Sequence, residues 1–233
     1  MQYVGNDIVD LTTPDAQEKS KDVRFVTRVF TENERGLISG AAAPDQVLWS
    51  LWTGKETAYK VMQKLNPGIT SAPGRYHVSL MGPVCMGTVG HTCVRGFVDT
   101  PAGVVHIMIT RGPDYFHCIG TRDNENLLRS VIGNVYTLGN SRETPARISA
   151  SVRTCAQGAI ARCMNCKRDA IRIARIASDR GLGPPIVYIN DHRPNVDISL
   201  SHDGKFIAYA MLASPHTISG NDAKNERGST ACT

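Results

Sequence analysis

Apolar and polar positions follow two rhythms along the chain, and the change between them marks its elements. In "QYVGNDIVDL" (2–11) an apolar run interrupted by Gly5, Asn6 and Asp7 predicts a short strand followed by a turn. In "KDVRFVTRVFTENERGLI", Val23, Val26, Phe30 and Leu37 recur at near-helical spacing, and Thr31 to Glu34 form a capping box that opens a further helix. "PDQVLWSLWTGKETAYKVMQKL" keeps the helical period until Asn66, Pro67 and Gly68 stop it. From Tyr76 to Gly120 the rhythm becomes alternation, with strands predicted near "RYHVSLM", "VRGFV", "VVHIMIT" and "YFHCIG".

After Asp123 the pattern weakens, and "TLGNSRETPAR" (137–147) reads as a polar linker. A second helix is expected in "CKRDAIRIARIASDRGLG", with Ile171, Ala174 and Ala177 on one face and Gly181 to Pro185 as its stop. The strands "PIVYIN" and "VDISLSHDGKFIAYAML" close this half, and a polar, disordered tail is expected at 218–233. "VVHIMITRGPDYFHCIG" and "NVDISLSHDGKFIAYAM" share a design: a strand, a polar Gly-containing turn, and a second strand that starts near an aromatic residue. The expected fold is therefore α+β, with two similar α/β units related by a pseudo-twofold axis, 1–135 and 136–217.

Composition narrows the functional classes. The 233 residues carry 26 Lys plus Arg against 21 Asp plus Glu, a net charge of +5 that favours an anionic partner. No Lys/Arg block of nucleic-acid type occurs, so no nucleic-acid partner is expected. The start lacks a basic region followed by a long apolar run, and no stretch of about 18 apolar residues occurs, so no membrane partner and a cytoplasmic setting are expected. Seven cysteines at irregular spacing read as reduced thiols.

Within "LWTGKETAYKVM", Glu56 and Lys60 share one helix face, with Trp49 and Trp52 one to two turns earlier on nearly the same side. Taken alone, this is a surface ion pair over a Trp platform. Asp7 changes the picture, because an unpaired carboxylate inside an apolar strand is costly. It either caps a neighbouring turn or joins Glu56 in holding a hard divalent cation beside a phosphorylated substrate, with Lys60 in reach of a phosphate oxygen.

"VGNDIVDL", "RFVTRVFTENE", "WTGKETAYK" and "ISLSHDGKFIAYA" together resemble the signatures of the 4'-phosphopantetheinyl transferases. The resemblance implies Mg²⁺ on Asp7 and Glu56, coenzyme A as co-substrate, and an apo acyl carrier protein or carrier domain as partner. It implies that Lys60 meets the coenzyme A pyrophosphate or assists the leaving oxygen, and that Ser201 and His202 hold coenzyme A phosphates. Arg193-Pro194 looks like the family's G-K-P loop with Arg in place of Lys and His192 in place of Gly; Arg172 is a further coenzyme A candidate. Where larger members carry a second acid two residues after the first motif's Asp, this chain has Val9, so water is expected in place of a third carboxylate. The Ser-His half trails here, whereas it leads in the surfactin-type members, which implies exchanged halves and a monomer with one site between them. A non-catalytic relative that grips coenzyme A or a carrier is the alternative; no P-loop or strand-linked GxGxxG points to another nucleotide enzyme.

The remaining conspicuous residues read as structural. Cys163 and Cys166, with Cys155 upstream, lack the partners of a zinc site. His77, His91, His106 and His117 fall on sheet faces. Arg24 and Arg28 are either a solvated face or a contact for an acidic carrier or the 3'-phosphate.

Overall fold

The computed structural model describes residues 2–86, 92–122, 124–139, 144–178 and 181–213. The tail expected at 218–233, and His91, lie outside the described residues. Strand β1 (Val4–Asp10) is followed by the helices α1 (Val23–Val29), α2 (Glu32–Ser39) and α3 (Pro44–Leu65). Four strands come next: β2 (His77–Met86), β3 (Thr92–Thr100), β4 (Gly103–Arg111) and β5 (Tyr115–Thr121). They join β1 in an antiparallel sheet of order β1-β5-β4-β3-β2. A single turn of helix, α4 (Glu125–Leu128), leads to β6 (Ile132–Thr137), α5 (Pro145–Met164), β7 (Ile171–Ser178), β8 (Gly181–Ile189), β9 (Val196–Asp203) and β10 (Phe206–Ala213). Here the order is β6-β10-β9, with the β7-β8 hairpin alongside through β8. Both units thus run strand, helix, four strands, and both pair their first strand with their last. No helix of the described residues is long and apolar enough to cross a membrane.

The first half matches its sequence expectations closely. α3 starts at Pro44 and ends at Leu65, before the Asn-Pro-Gly stop. The capping box forms, with Thr31 Oγ1 accepting from Glu34 N–H at 3.4 Å and Glu34 Oε2 accepting from Thr31 N–H at 2.8 Å.

The second half requires corrections. The helix expected over 166–183 is instead β7 and β8, and the helix of this half is α5. Ile171 and Ile173 are buried while Arg172 between them is exposed, which is the strand period. The three-residue spacing of Ile171, Ala174 and Ala177 coincides with helical spacing without forming a helical face. α5 buries Val152, Ala156, Ala159 and Ile160, a stripe of mostly small side chains with a weak apolar signal. Thr144 caps it and Pro145 occupies its first turn, so part of the segment read as a linker is a helix start. The expected boundary at 135 falls inside β6, which pairs with β10.

The two units meet along β1, every residue of which is buried. One face of β1 lies under α3. Gly5 is required there, because a Cβ would fall 2.3 Å from the Thr57 carbonyl oxygen. On the other face, Val4 packs with Ala210 and Leu212, and Ile8 with Phe206 and Ala208. β5 occupies one edge of β1, and alternate side chains of β9 cap the other. Asp197 Oδ2 accepts from Val4 N–H at 2.7 Å, Ser199 Oγ from Asn6 N–H at 2.9 Å, and Asp203 Oδ2 from Asp10 N–H at 2.8 Å. Lys64 on the last turn of α3 locks this seam, its buried Nζ donating to Asp197 Oδ2 and the Val4 carbonyl at 2.7 Å and to the Ile198 carbonyl at 2.6 Å.

Candidate functional site

The three charges of "KETAYK" have three different fates. Lys55 is the structural one. It is 1% exposed and pairs with Glu34 at 2.8 Å, while its ammonium also donates to the Pro73 carbonyl at 3.0 Å and to the Tyr76 carbonyl. Glu34 accepts in turn from Val78 N–H at 2.9 Å. The pair ties α2 and α3 to the start of β2, and every polar atom involved is satisfied, which a buried ion pair needs.

Glu56, the next residue along α3, points the other way. It lines a cleft of about 420 Å³ between the units together with Asp7, Val9, Trp49, Trp52, Phe25, His202 and Asp203. Burial, reinforced by the charge of Asp7, pushes the Glu56 carboxyl up to about 7 despite the opposing effect of Lys60. Lys60, one turn further, bonds Asp7 rather than Glu56: its Nζ donates to Asp7 Oδ1 and to the Asn6 carbonyl, both at 2.8 Å. The Asp7 carboxyl is still raised, because burial outweighs that contact. The Trp platform is present, with Phe25 against both indoles and Trp49 Nε1 donating to the Ala16 carbonyl at 2.8 Å.

His202 reaches this cleft from β9, its imidazole held below the ordinary value by partial burial and then by Lys60. Ser201 does not line it; its side chain is buried behind the seam, and Oγ accepts from Asn6 Nδ2 at 3.0 Å. The same amide faces His117 Nε2 at 3.3 Å, and burial holds that imidazole down at about 4, so the ring is neutral and accepts there. Arg172 stacks on Tyr188 at 4.1 Å and pairs with Asp191 at 3.2 Å on the surface, outside the cleft lining. Arg193 lies in the β8–β9 connection, near enough to lower the Asp197 pKa that burial raises. The structure therefore brings together Asp7, Glu56, Lys60 and His202.

Sequence reasoning missed Asp203. It lines the cleft one residue beyond His202, its carboxyl raised by burial and then by Asp10 and Asp7 despite a backbone hydrogen bond. The "SLSHD" run offered a signal, since an acid adjoins the motif's histidine at a strand end.

The donor set suits Mg²⁺. Asp7 and Glu56 present only oxygen ligands on an open cleft, and burial and then the charge of Asp7 hold the Glu56 carboxyl up at about 7. Among the described residues no three His, Cys, Asp or Glu side chains stand close enough to form a ready-made metal cluster. A cation held by one or two carboxylates, waters and substrate phosphates requires none.

Residues 3–79 match the family model of the 4'-phosphopantetheinyl transferase superfamily. The matched segment carries β1, α1, α2 and α3, and hence Asp7, Glu56 and Lys60. No curated protein matches the chain.

Proposed function

We propose that this chain transfers the 4'-phosphopantetheine group of coenzyme A to a serine of an apo acyl or peptidyl carrier protein, releasing 3',5'-ADP. The observation that carries the reading is the meeting of Asp7 and Glu56 with His202 of the second unit in one cleft, Lys60 being bonded to Asp7, and Asp7, Glu56 and Lys60 all lying inside the superfamily match. Asp7 and Glu56 would hold Mg²⁺, which would supply charge neutralisation of the coenzyme A pyrophosphate. Lys60 and His202 bind phosphate oxygens from opposite sides of the cleft. This positioning and neutralisation is most of what phosphoryl-type transfer needs from a protein. Glu56 faces the cleft and is the group placed to take the proton of the attacking serine hydroxyl, directly or through water. Ser201 acts from behind the cleft by holding Asn6 beside Asp7, and Arg172 and Arg193 take no part in the chemical step.

The shared connectivity of the units supports a pseudo-twofold pair in exchanged order, acting as a monomer. The positive net charge fits steering of an acidic carrier. Mass spectrometry of apo carriers from fatty-acid, polyketide and peptide synthesis, each incubated with the protein, coenzyme A and Mg²⁺, tests the reading. One carrier gaining phosphopantetheine, with 3',5'-ADP released, supports it. Coenzyme A binding with no mass gain on any carrier turns the assignment to a non-catalytic binding relative.

A further inference from the structure

Val9 stands where a second acid of the first motif is expected, and it is buried in the wall of the cleft. Asp15 lines the same cleft, and a further carboxylate, Asp203, comes to it from the other unit. Asp203 ends β9 and is held by a double clasp across the seam. Asp10 N–H donates to Asp203 Oδ2 at 2.8 Å, and the Asp10 carboxylate accepts from Lys205 N–H at 2.9 Å on the far side of the turn. The turn passes through Gly204 at φ +49°, where a Cβ would lie 2.2 Å from Asp10 Oδ2, so the clasp closes only with glycine there.

The charge balance around Asp203 is incomplete. Asp7, Asp15, Glu56 and Asp203 share the cleft, and Lys60, outside its lining, already bonds Asp7. Lys205, next along the turn, is turned away to Asp114 at 2.9 Å. Carboxylates gathered in a partly buried cleft favour a positive charge among them.

We propose that Asp203 is a further carboxylate facing the Mg²⁺ site, reached through metal-bound water, so that the cation held by Asp7 and Glu56 is met from both units. The inference rests on the metal reading above. Mg²⁺ keeps several waters, and a carboxylate beyond its direct ligands can face it through one of them.

The test uses Asp203→Asn, which keeps an oxygen for Asp10 N–H and removes only the charge. Mg²⁺ alone, without coenzyme A, is titrated into the full chain by calorimetry and thermal shift. The metal-free Tm should stay level or rise, and Mg²⁺ affinity should fall about tenfold, the size of losses from outer-shell groups. Asp7→Asn, run beside it, should lose the Mg²⁺ response. If Asp7→Asn loses the response while Asp203→Asn binds Mg²⁺ like the wild type, this inference is overturned and the metal reading stands. If neither variant changes Mg²⁺ binding, the metal reading fails and carries the inference with it. Should Asp203→Asn not fold, Fe²⁺ with ascorbate and peroxide tests the wild-type chain, since radicals made at the bound ion cut nearby backbone. Cuts near 203 as well as near 7 and 56 support the inference; cuts confined to 7 and 56 overturn it.

Discussion

Glu56→Gln should make the metal-free protein more stable while nearly abolishing its activity, and the stability gain should depend on pH in a defined direction. Burial and Asp7 raise the Glu56 carboxyl from 4.5 to about 7. At 1.36 kcal/mol per pKa unit, ionising it in the folded state costs about 3 kcal/mol more than in the unfolded chain. Because the folded value is the higher one, the associated stability is fully present below pH 4.5 and is lost as pH rises through about 7. Glutamine carries no such cost. The variant should therefore melt with the wild type near pH 4 and above it at pH 8, by an upper limit of about 6–12 °C for a chain of this size. Saturating Mg²⁺ should stabilise the wild type and narrow that gap. Transfer to a carrier should fall by two or more orders of magnitude, the usual contribution of a positioned acid-base group. Melting curves at a series of pH values with and without Mg²⁺, beside single-turnover transfer, decide it. A Tm difference that is flat with pH, or a variant that still modifies carrier at near wild-type rate, refutes the reasoning.

Lys55→Met should be a folding defect with the metal site spared. It strands the Glu34 carboxylate in the core at a cost of about 3–5 kcal/mol in urea unfolding, and adding Glu34→Gln should recover part of the loss. Lys60→Ala should chiefly weaken coenzyme A binding, and calorimetry at rising ionic strength should show a flatter salt dependence than the wild type.

The sequence was most readable where local rules and global packing agree. α3 was delimited to the residue because Pro44 starts it, Asn-Pro-Gly stops it, and bulky Leu48, Leu51, Val61 and Met62 fill its buried face. α5 was invisible for the opposite reason: half of its buried face is alanine, while the isoleucine and alanine spacing of β7 imitates a helix. Asp7, Glu56 and Lys60 were legible as a set because motif spacing brought them together before any contact was known. Three things needed coordinates. Lys60 chooses Asp7 over its helix neighbour Glu56, Ser201 turns inward to Asn6, and Asp203 arrives in the cleft from a strand of the other unit. The last two depend on how β9 crosses β1, a long-range relation between residues about 190 apart that no local pattern encodes.

That crossing also bears on how the chain is made. During synthesis the first unit leaves the ribosome before β9 exists, and β1 then has β5 on one side and an open row of N–H groups at Val4, Asn6 and Asp10 on the other. An open strand edge is a template for any passing chain. Asp197, Ser199 and Asp203 close it with side chains instead of another strand, so the nascent first half is exposed to aggregation until the last two strands emerge.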